Sequence, residues 1–270
     1  MRDRTDVSTH YEFGANWARF AGTISGRAIA EAQTGLERLF PEGEIKGRRF
    51  LDIGCGSGLH SLAALRMGAA EVLAVDIDPR SVATTEALLQ QHAPARPWQA
   101  RVESVFDMPA EPRFDIVYSW GVLHHTGAMR RAIECAAAKV APGGRLCLAL
   151  YRKTPLCFAW RMEKWLYARS PRVVRSAIEA VYIAAMHAAF VLTGRNFNAY
   201  VAGYVGSRGM DYRTDVRDWL GGYPYESVSE SEVREIGRQL RLELVRSFCH
   251  KPGFGLFGTG CDEYVFRRPT

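Results

Sequence analysis

A chain of 270 residues with 47% hydrophobic content can bury one sizeable core, which excludes a disordered or fibrous protein and leaves room for a single α/β domain with a large insertion. Its six cysteines (Cys55, Cys135, Cys147, Cys157, Cys249 and Cys261) show no C-x-x-C spacing, which argues against a zinc module or disulfide scaffold and for reduced thiols. No secretory pattern opens the sequence, so a cytoplasmic location is expected; the net charge of +6 is modest but unevenly placed.

Residues 1–9 are polar, and the aromatics from Tyr11 onward, Phe13, Trp17 and Phe20, recur at helical spacing. A second helical run, 24–40, stops at Pro41-Glu-Gly43 and delivers the chain to a short buried strand formed by Phe50, Leu51 and Ile53. Three glycines, Gly54, Gly56 and Gly58, then turn the backbone into a helix that begins at Leu59 and ends at Gly68. A second strand covers 72–75. Asp78-Pro79 reads as an N-cap with proline at N1, opening a helix over 79–92. Strands follow at 98–102 and 114–119, then a helix over 129–140, a turn at 142–144 and a fifth strand over 145–151.

Residues 152–226 leave this β/α alternation, and their pattern predicts a mostly helical cap. Within 151–175, Arg152, Lys153, Arg161, Lys164, Arg169, Arg172 and Arg175 face a single acid, Glu163, so the stretch alone carries +6, interleaved with Phe158, Trp160, Trp165 and Tyr167. A solvated helix face with aromatics docked inward, a site for an anionic acceptor, a membrane surface and nucleic acid all remain open readings of it. The run 173–192 is more apolar still, but Arg175, Glu179 and His187 interrupt it, which favours a cap helix over a membrane span. Beyond the cap, Ser229 and Glu232 form a capping box for a helix over 230–240. Two alternating strands, 242–249 and 263–267, flank the glycine-rich loop 253–260, which joins strand to strand and is therefore no phosphate loop.

The glycine turn carries the chemistry. Its spacing is G-x-G-x-G, whereas a dinucleotide fingerprint would need its third glycine at the position of Leu59. The strand before it also carries Asp52, a carboxylate that would repel a pyrophosphate but suits S-adenosylmethionine (SAM), which has no phosphate and bears an ammonium and a sulfonium. Asp76 follows at the end of the second strand, 22 residues after Gly54, where a carboxylate can accept both ribose hydroxyls.

In FLDIGCGSG (50–58), VDIDP (75–79), FDIVYSWGVLHH (114–125) and APGGRL (141–146), the chain resembles the class I SAM-dependent methyltransferases over roughly residues 45–151, with a weaker match at the C-terminus. The resemblance implies a doubly wound, mainly parallel seven-stranded sheet, and the pattern of 152–226 adds a helical cap inserted after strand five. It divides the chain into an N-terminal lid (1–44), a SAM-binding core (45–151), the cap (152–226) and a C-terminal helix with antiparallel strands (227–270). SAM contacts are expected from Asp52, Gly54, Cys55, Gly56, Gly58, Asp76, Ile77, Ser104, Val105, Ser119 and Trp120; Tyr11 and Trp17 are candidate substrate contacts on a helix that is either a lid over the cofactor or packed on the core. Many relatives carry an acid at the position of Ser104; here the Ser104 hydroxyl, Asp107 or the Val105 amide alone would hold the adenine amino group.

The end of the fourth strand lies where ligands bind in such sheets, which makes His124 and His125 candidates for a catalytic base, with His124 favoured and activity expected to rise with pH through the imidazole range. Structural histidines at a helix start are the alternative, and without a third ligand nearby no metal is expected. Tyr223, Tyr225 and Glu226, on a proline turn at the end of the cap, are candidate acceptor contacts, or simply a helix stop. The expected function is methyl transfer from SAM to a small-molecule hydroxyl or carboxyl, the acceptor being anionic or amphipathic, with nucleic acid disfavoured and a peripheral membrane contact left open. The amino-positioning N/D-P-P-[YF] tetrapeptide is absent, its place reading Ser119-Trp-Gly-Val122. An RNA or protein methyltransferase and a non-catalytic SAM-binding module are the alternatives.

Overall fold

The computed structural model describes residues 14, 24–109, 111, 113–208, 211–251 and 253–270, without the side chains of 205–208. Seven strands form one sheet: β1 (Arg49–Ile53), β2 (Glu71–Asp76), β3 (Trp98–Val102), β4 (Phe114–Trp120), β5 (Val140–Tyr151), β6 (Glu243–Phe248) and β7 (Cys261–Arg267). Their order is β3-β2-β1-β4-β5-β7-β6. The first five are parallel, while β7 runs antiparallel to both β5 and β6. The reversal between β1 and β4 leaves a crevice beyond the strand ends, where open α/β sheets bind ligands.

Helices cover both faces. Those of the core are α1 (Gly26–Leu39), α2 (Leu59–Arg66), α3 (Pro79–His92) and α4 (Met129–Ala138); the insertion carries α5 (Cys157–Arg169), α6 (Arg172–Leu192), α7 (Phe197–Arg208) and α8 (Tyr212–Gly221), and α9 (Glu230–Gln239) precedes β6. Because the central strands are buried on both sides, they read as nearly unbroken apolar runs rather than alternating ones. On one face Leu36, Phe50, Leu62, Leu65 and Leu89 pack together; on the other, Leu51, Val117, Ile133, Leu148 and Phe266 do.

The local signals act as their chemistry requires. Asp78 caps α3 through the Arg80 amide with Pro79 in the first turn, and Ser229 and Glu232 form the capping box of α9. The turn expected at 142–144 is instead a bulge within β5: pairing passes from Phe114↔Val140 to Ile116↔Arg145, so the residues between loop out without ending the strand.

Among the described residues, four helices fill the insertion and pack around a small core of their own, made by Tyr167, Tyr204, Tyr212, Val216 and Leu220. Lys164 departs from the solvated basic face that the sequence suggests. Its side chain is buried, its ammonium lies 3.5 Å from the Trp219 ring centroid and donates to the Trp219 carbonyl, and Glu163 stands 3.6 Å away. Burial outweighs the nearby Glu163 and lowers the Lys164 pKa to about 7.

Candidate functional site

A cavity of about 1710 Å³ opens from the glycine turn toward the insertion, lined by residues of both. Ligand pockets run to about 300–1,000 Å³, so there is room for a cofactor and a second molecule.

At the cofactor end, Gly54, Cys55 and Gly56 line the wall. The Gly54 and Cys55 amides donate to the Val75 carbonyl, fastening the turn to β2. A Cβ on Gly54 would lie 2.4 Å from Val122 Cγ2, and its φ of +78° is one that L side chains rarely adopt, so only glycine lets the loop after β4 come this close. Gly58 has another job. It is absent from the wall, and its missing Cβ leaves space for Thr85, letting α3 approach the start of α2.

Asp76 lines the cavity as expected, with one oxygen accepting from the Gly56 amide (3.1 Å) and the other from the Asp78 amide (2.9 Å). A carboxylate offers about four acceptor sites, so two amides leave capacity for ribose hydroxyls. Burial raises its pKa, and the two amides act against that rise. Ile77, Ser104, Val105 and Trp120 are also in the wall. Ile77 and Val105 give the apolar surfaces a purine needs, while the Ser104 hydroxyl accepts from the Phe106 amide. Asp107 is absent from the wall; the acid there is Glu103, one residue before the position where relatives carry theirs.

Besides Gly58, two more expected cofactor contacts lie elsewhere. Asp52 is buried behind the turn, accepting a 2.6 Å hydrogen bond from the Ser61 hydroxyl, and is no part of the wall. Burial, opposed by Ser61 and reinforced by Asp76, lifts its pKa to about 7, so near neutral pH it is only partly ionised. Ser119 is buried too, donating to the Ile53 carbonyl at 3.0 Å and joining β4 to β1.

The two histidines exchange the places expected of them. His124 has no exposed surface; its Nδ1 accepts from the Tyr151 amide at 3.2 Å and its ring stacks on Tyr151 with centroids 3.8 Å apart. Burial pushes its pKa well down, so it stays neutral and takes no proton from the cavity. His125, the next residue on the 3-10 turn Leu123–His125, lines the cavity. Its Nδ1 donates to the Pro224 carbonyl at 2.8 Å, which fixes the neutral tautomer with its lone pair on Nε2.

The proline turn at the end of the cap is structural. Tyr225 is buried with its hydroxyl directed at Cys157 Sγ, Tyr223 stacks under Arg169, and Glu226 accepts from the Met129 amide at the start of α4; none of the three lines the cavity. Tyr11 and Trp17 lie outside the described residues. None of the seven basic residues of 152–175 is in the wall either; the wall's arginines are Arg38 and Arg80.

The acceptor end is walled by Tyr151, Tyr182, Tyr200, Tyr204, Tyr212 and Trp219, with Asp215 and Asp218 as its acids. Sequence reasoning missed these. Tyr182, Tyr200 and Tyr204 fall on α6 and α7, whose patterns read as packing, and only the folded cap turns them toward the glycine turn. A second missed group is Glu263, which accepts from Trp120 Nε1 at 2.8 Å and pairs with Arg38 at the opposite end of the cavity. Among the described residues no group of three His, Cys, Asp or Glu side chains could hold a metal ion.

The family described as "Methyltransferase domain" matches residues 25–189, more than half of the chain. The chain belongs to this family, the class I SAM-dependent methyltransferases, and SAM is the cofactor of that family. A ribosomal protein L11 methyltransferase of Stenotrophomonas maltophilia (strain K279a) is 40% identical over 116 residues, 42% of this chain and 35% of that protein. A ubiquinone biosynthesis O-methyltransferase of Xanthomonas euvesicatoria is 36% identical over 126 residues, 46% of this chain and 52% of that one. The chain thus spans a third to a half of the length of these relatives. Among solved structures, the magnesium protoporphyrin IX methyltransferase of Synechocystis with bound SAH superposes with a TM-score of 0.55 at 16% identity, covering 91% of this chain and 85% of that one. At that identity the likeness is one of fold.

Proposed function

We propose that this chain transfers the methyl group of SAM to a hydroxyl of a small aromatic acceptor held in the tyrosine-walled end of the cavity, with His125 removing the hydroxyl proton. When bound, SAM supplies an electrophilic methyl carbon on a sulfonium. The chain's residues do the rest: Asp76 takes the ribose hydroxyls, Ile77 and Val105 flank the purine, and the aromatic wall holds the acceptor in a dry pocket. Placing the acceptor oxygen within about 3–3.5 Å of the methyl carbon supplies much of the acceleration. Proton removal at the oxygen gives an anion whose charge cancels the sulfonium's in low dielectric. The observation that carries this reading is His125, at the junction of the cofactor and acceptor walls with its tautomer fixed by the Pro224 carbonyl. The relative named for O-methylation in ubiquinone biosynthesis supports an oxygen acceptor.

Protein methylation is the second reading, because the L11 methyltransferases match over a similar span. Isotope-labelled SAM offered with a set of phenols and catechols, with ribosomal protein and with total RNA separates the readings. Label is expected in a phenolic product, and His125→Asn should lower kcat by about 10²–10⁴-fold while SAM affinity stays within about twofold. Label in protein or RNA would replace the small acceptor. Tight SAM binding with no transfer to any of them would leave a binding module.

A further inference from the structure

The outer surface of α5 and α6 has no part in the cavity and is unusually apolar. Among the described residues, α6 is the one helix long and apolar enough to cross a bilayer by length and composition, yet Phe190 is its only buried residue. Its Val173, Val181 and Leu192 are 82%, 69% and 87% exposed. The turn Ser170-Pro171 connects it to α5, which exposes Phe158, Met162, Trp165 and Leu166, spaced to share one side of the helix. Two hydrogen bonds tie the β6–β7 loop to the inner sides of these helices, Trp160 Nε1 to the Gly255 carbonyl (2.7 Å) and the Tyr182 hydroxyl to the Phe257 carbonyl (2.8 Å). Large exposed apolar side chains gathered on one side of each of two consecutive helices mark an interaction surface.

The charges around this surface have one sign. Arg161, Arg169, Arg172 and Arg195 are exposed on or beside the two helices. Their only acids are turned away: Glu179 bridges Arg217 and accepts from Tyr167, and Glu163 is part-buried against Lys164. The inner side of α6 is committed to the protein, with Tyr182 and Met186 in the cavity wall. The helix therefore lies along the surface and does not span.

We propose that the outer face of α5 and α6 docks on the surface of a bilayer that carries anionic headgroups. Apolar side chains would enter the headgroup boundary, Trp165 would sit at its level, and the arginines would meet lipid phosphates. Charge decides against a second copy of the chain as the occupant, because pairing this face with itself sets arginine against arginine with no acid to intervene. The docking does not depend on which acceptor the cavity takes, although a bilayer beside the cavity wall suits an amphipathic one.

The test is sedimentation of the full chain with vesicles of phosphatidylcholine containing about one-third phosphatidylglycerol, compared with pure phosphatidylcholine. Binding is expected to the anionic vesicles and to weaken as salt is raised. The double variant Val181→Asp with Leu192→Asp should lower the partition more than about tenfold, and Arg172→Glu by at least about fivefold. Both should keep the melting temperature and SAM affinity of the parent, since these side chains are exposed and none lines the cavity. No binding to either vesicle, equal binding to both, or a solution dimer that the double variant dissolves without any vesicle binding would each overturn the proposal.

Discussion

Asp52 stands behind the glycine turn with its carboxylate held by the Ser61 hydroxyl, and burial lifts its pKa from 3.8 to about 7. The folded chain then holds a proton that the unfolded chain releases above about pH 4. Between pH 4 and 7 the native state binds more protons than the unfolded state, so this group's contribution to stability falls as pH rises through that window and is lowest above it. Asp52→Asn removes the titration while keeping a partner for Ser61. Melting curves of the unliganded protein should show the variant gaining about 1–3 kcal/mol relative to the parent at pH 8 and little at pH 4. An equal gain at both would mean that Asp52 is ionised throughout. Asp76 differs in facing the cavity. Asp76→Ala should weaken SAM binding by roughly 1.5–3 kcal/mol, the scale for hydrogen bonds to a charged acceptor. Calorimetry on a variant shown to be folded would read this directly, and unchanged affinity would remove Asp76 from the site.

At the scale of elements, α4 begins at Met129 after Ala128, a residue that offers no side-chain cap. The acceptor comes from 97 residues further on, where Glu226 takes the Met129 amide at 2.8 Å. A carboxylate at this end also faces the positive pole of the helix. Glu226→Ala should therefore cost about 0.5–2 kcal/mol of stability in denaturant melts, with SAM affinity and acceptor KM unchanged. A raised acceptor KM with unchanged stability would return Glu226 to the pocket. The same contact shows why the sequence was informative for some elements and silent for others. Asp78-Pro79 and the Ser229 to Glu232 box are local, with donor and acceptor within three residues, so their helices are legible from spacing alone. The Glu226 cap, the Ser119 tie to Ile53 and the Asp52 bond to Ser61 depend on which segments the fold brings together. An acid or hydroxyl at such a position reads equally well as ligand or as support. His124 and His125 are the sharpest instance, because the direction of the 3-10 turn alone decides which ring enters the core and which enters the cavity.

For the molecule as a whole, the motif-bearing half was readable because a buried parallel strand and a glycine turn are set by local chemistry. The acceptor half was not, since its wall gathers α6, α7, α8 and the β6–β7 loop, which are far apart in the chain. The cavity also runs the other way, toward Arg38, Ser247, His250 and Glu263, so the acceptor has two ends to choose from. Hydrogen exchange can tell them apart, because a ligand that orders a wall slows local opening there. SAM or its demethylated product alone should protect the glycine turn, residues 76–79 and 103–106, while leaving the outer face of α6 unchanged. Adding a phenolic acceptor to the complex with the demethylated product should extend protection to Tyr151, to α8 around Trp219 and to the loop at 257–260. Tyr151 is the informative position: its ring is 5.2 Å from that of His125 and 5.3 Å from that of Trp219, so an acceptor beside the base must meet it. If protection appeared instead on α1 around Arg38 and on β6 around Ser247, the acceptor would enter past Glu263, and His125 would lose its place as the base.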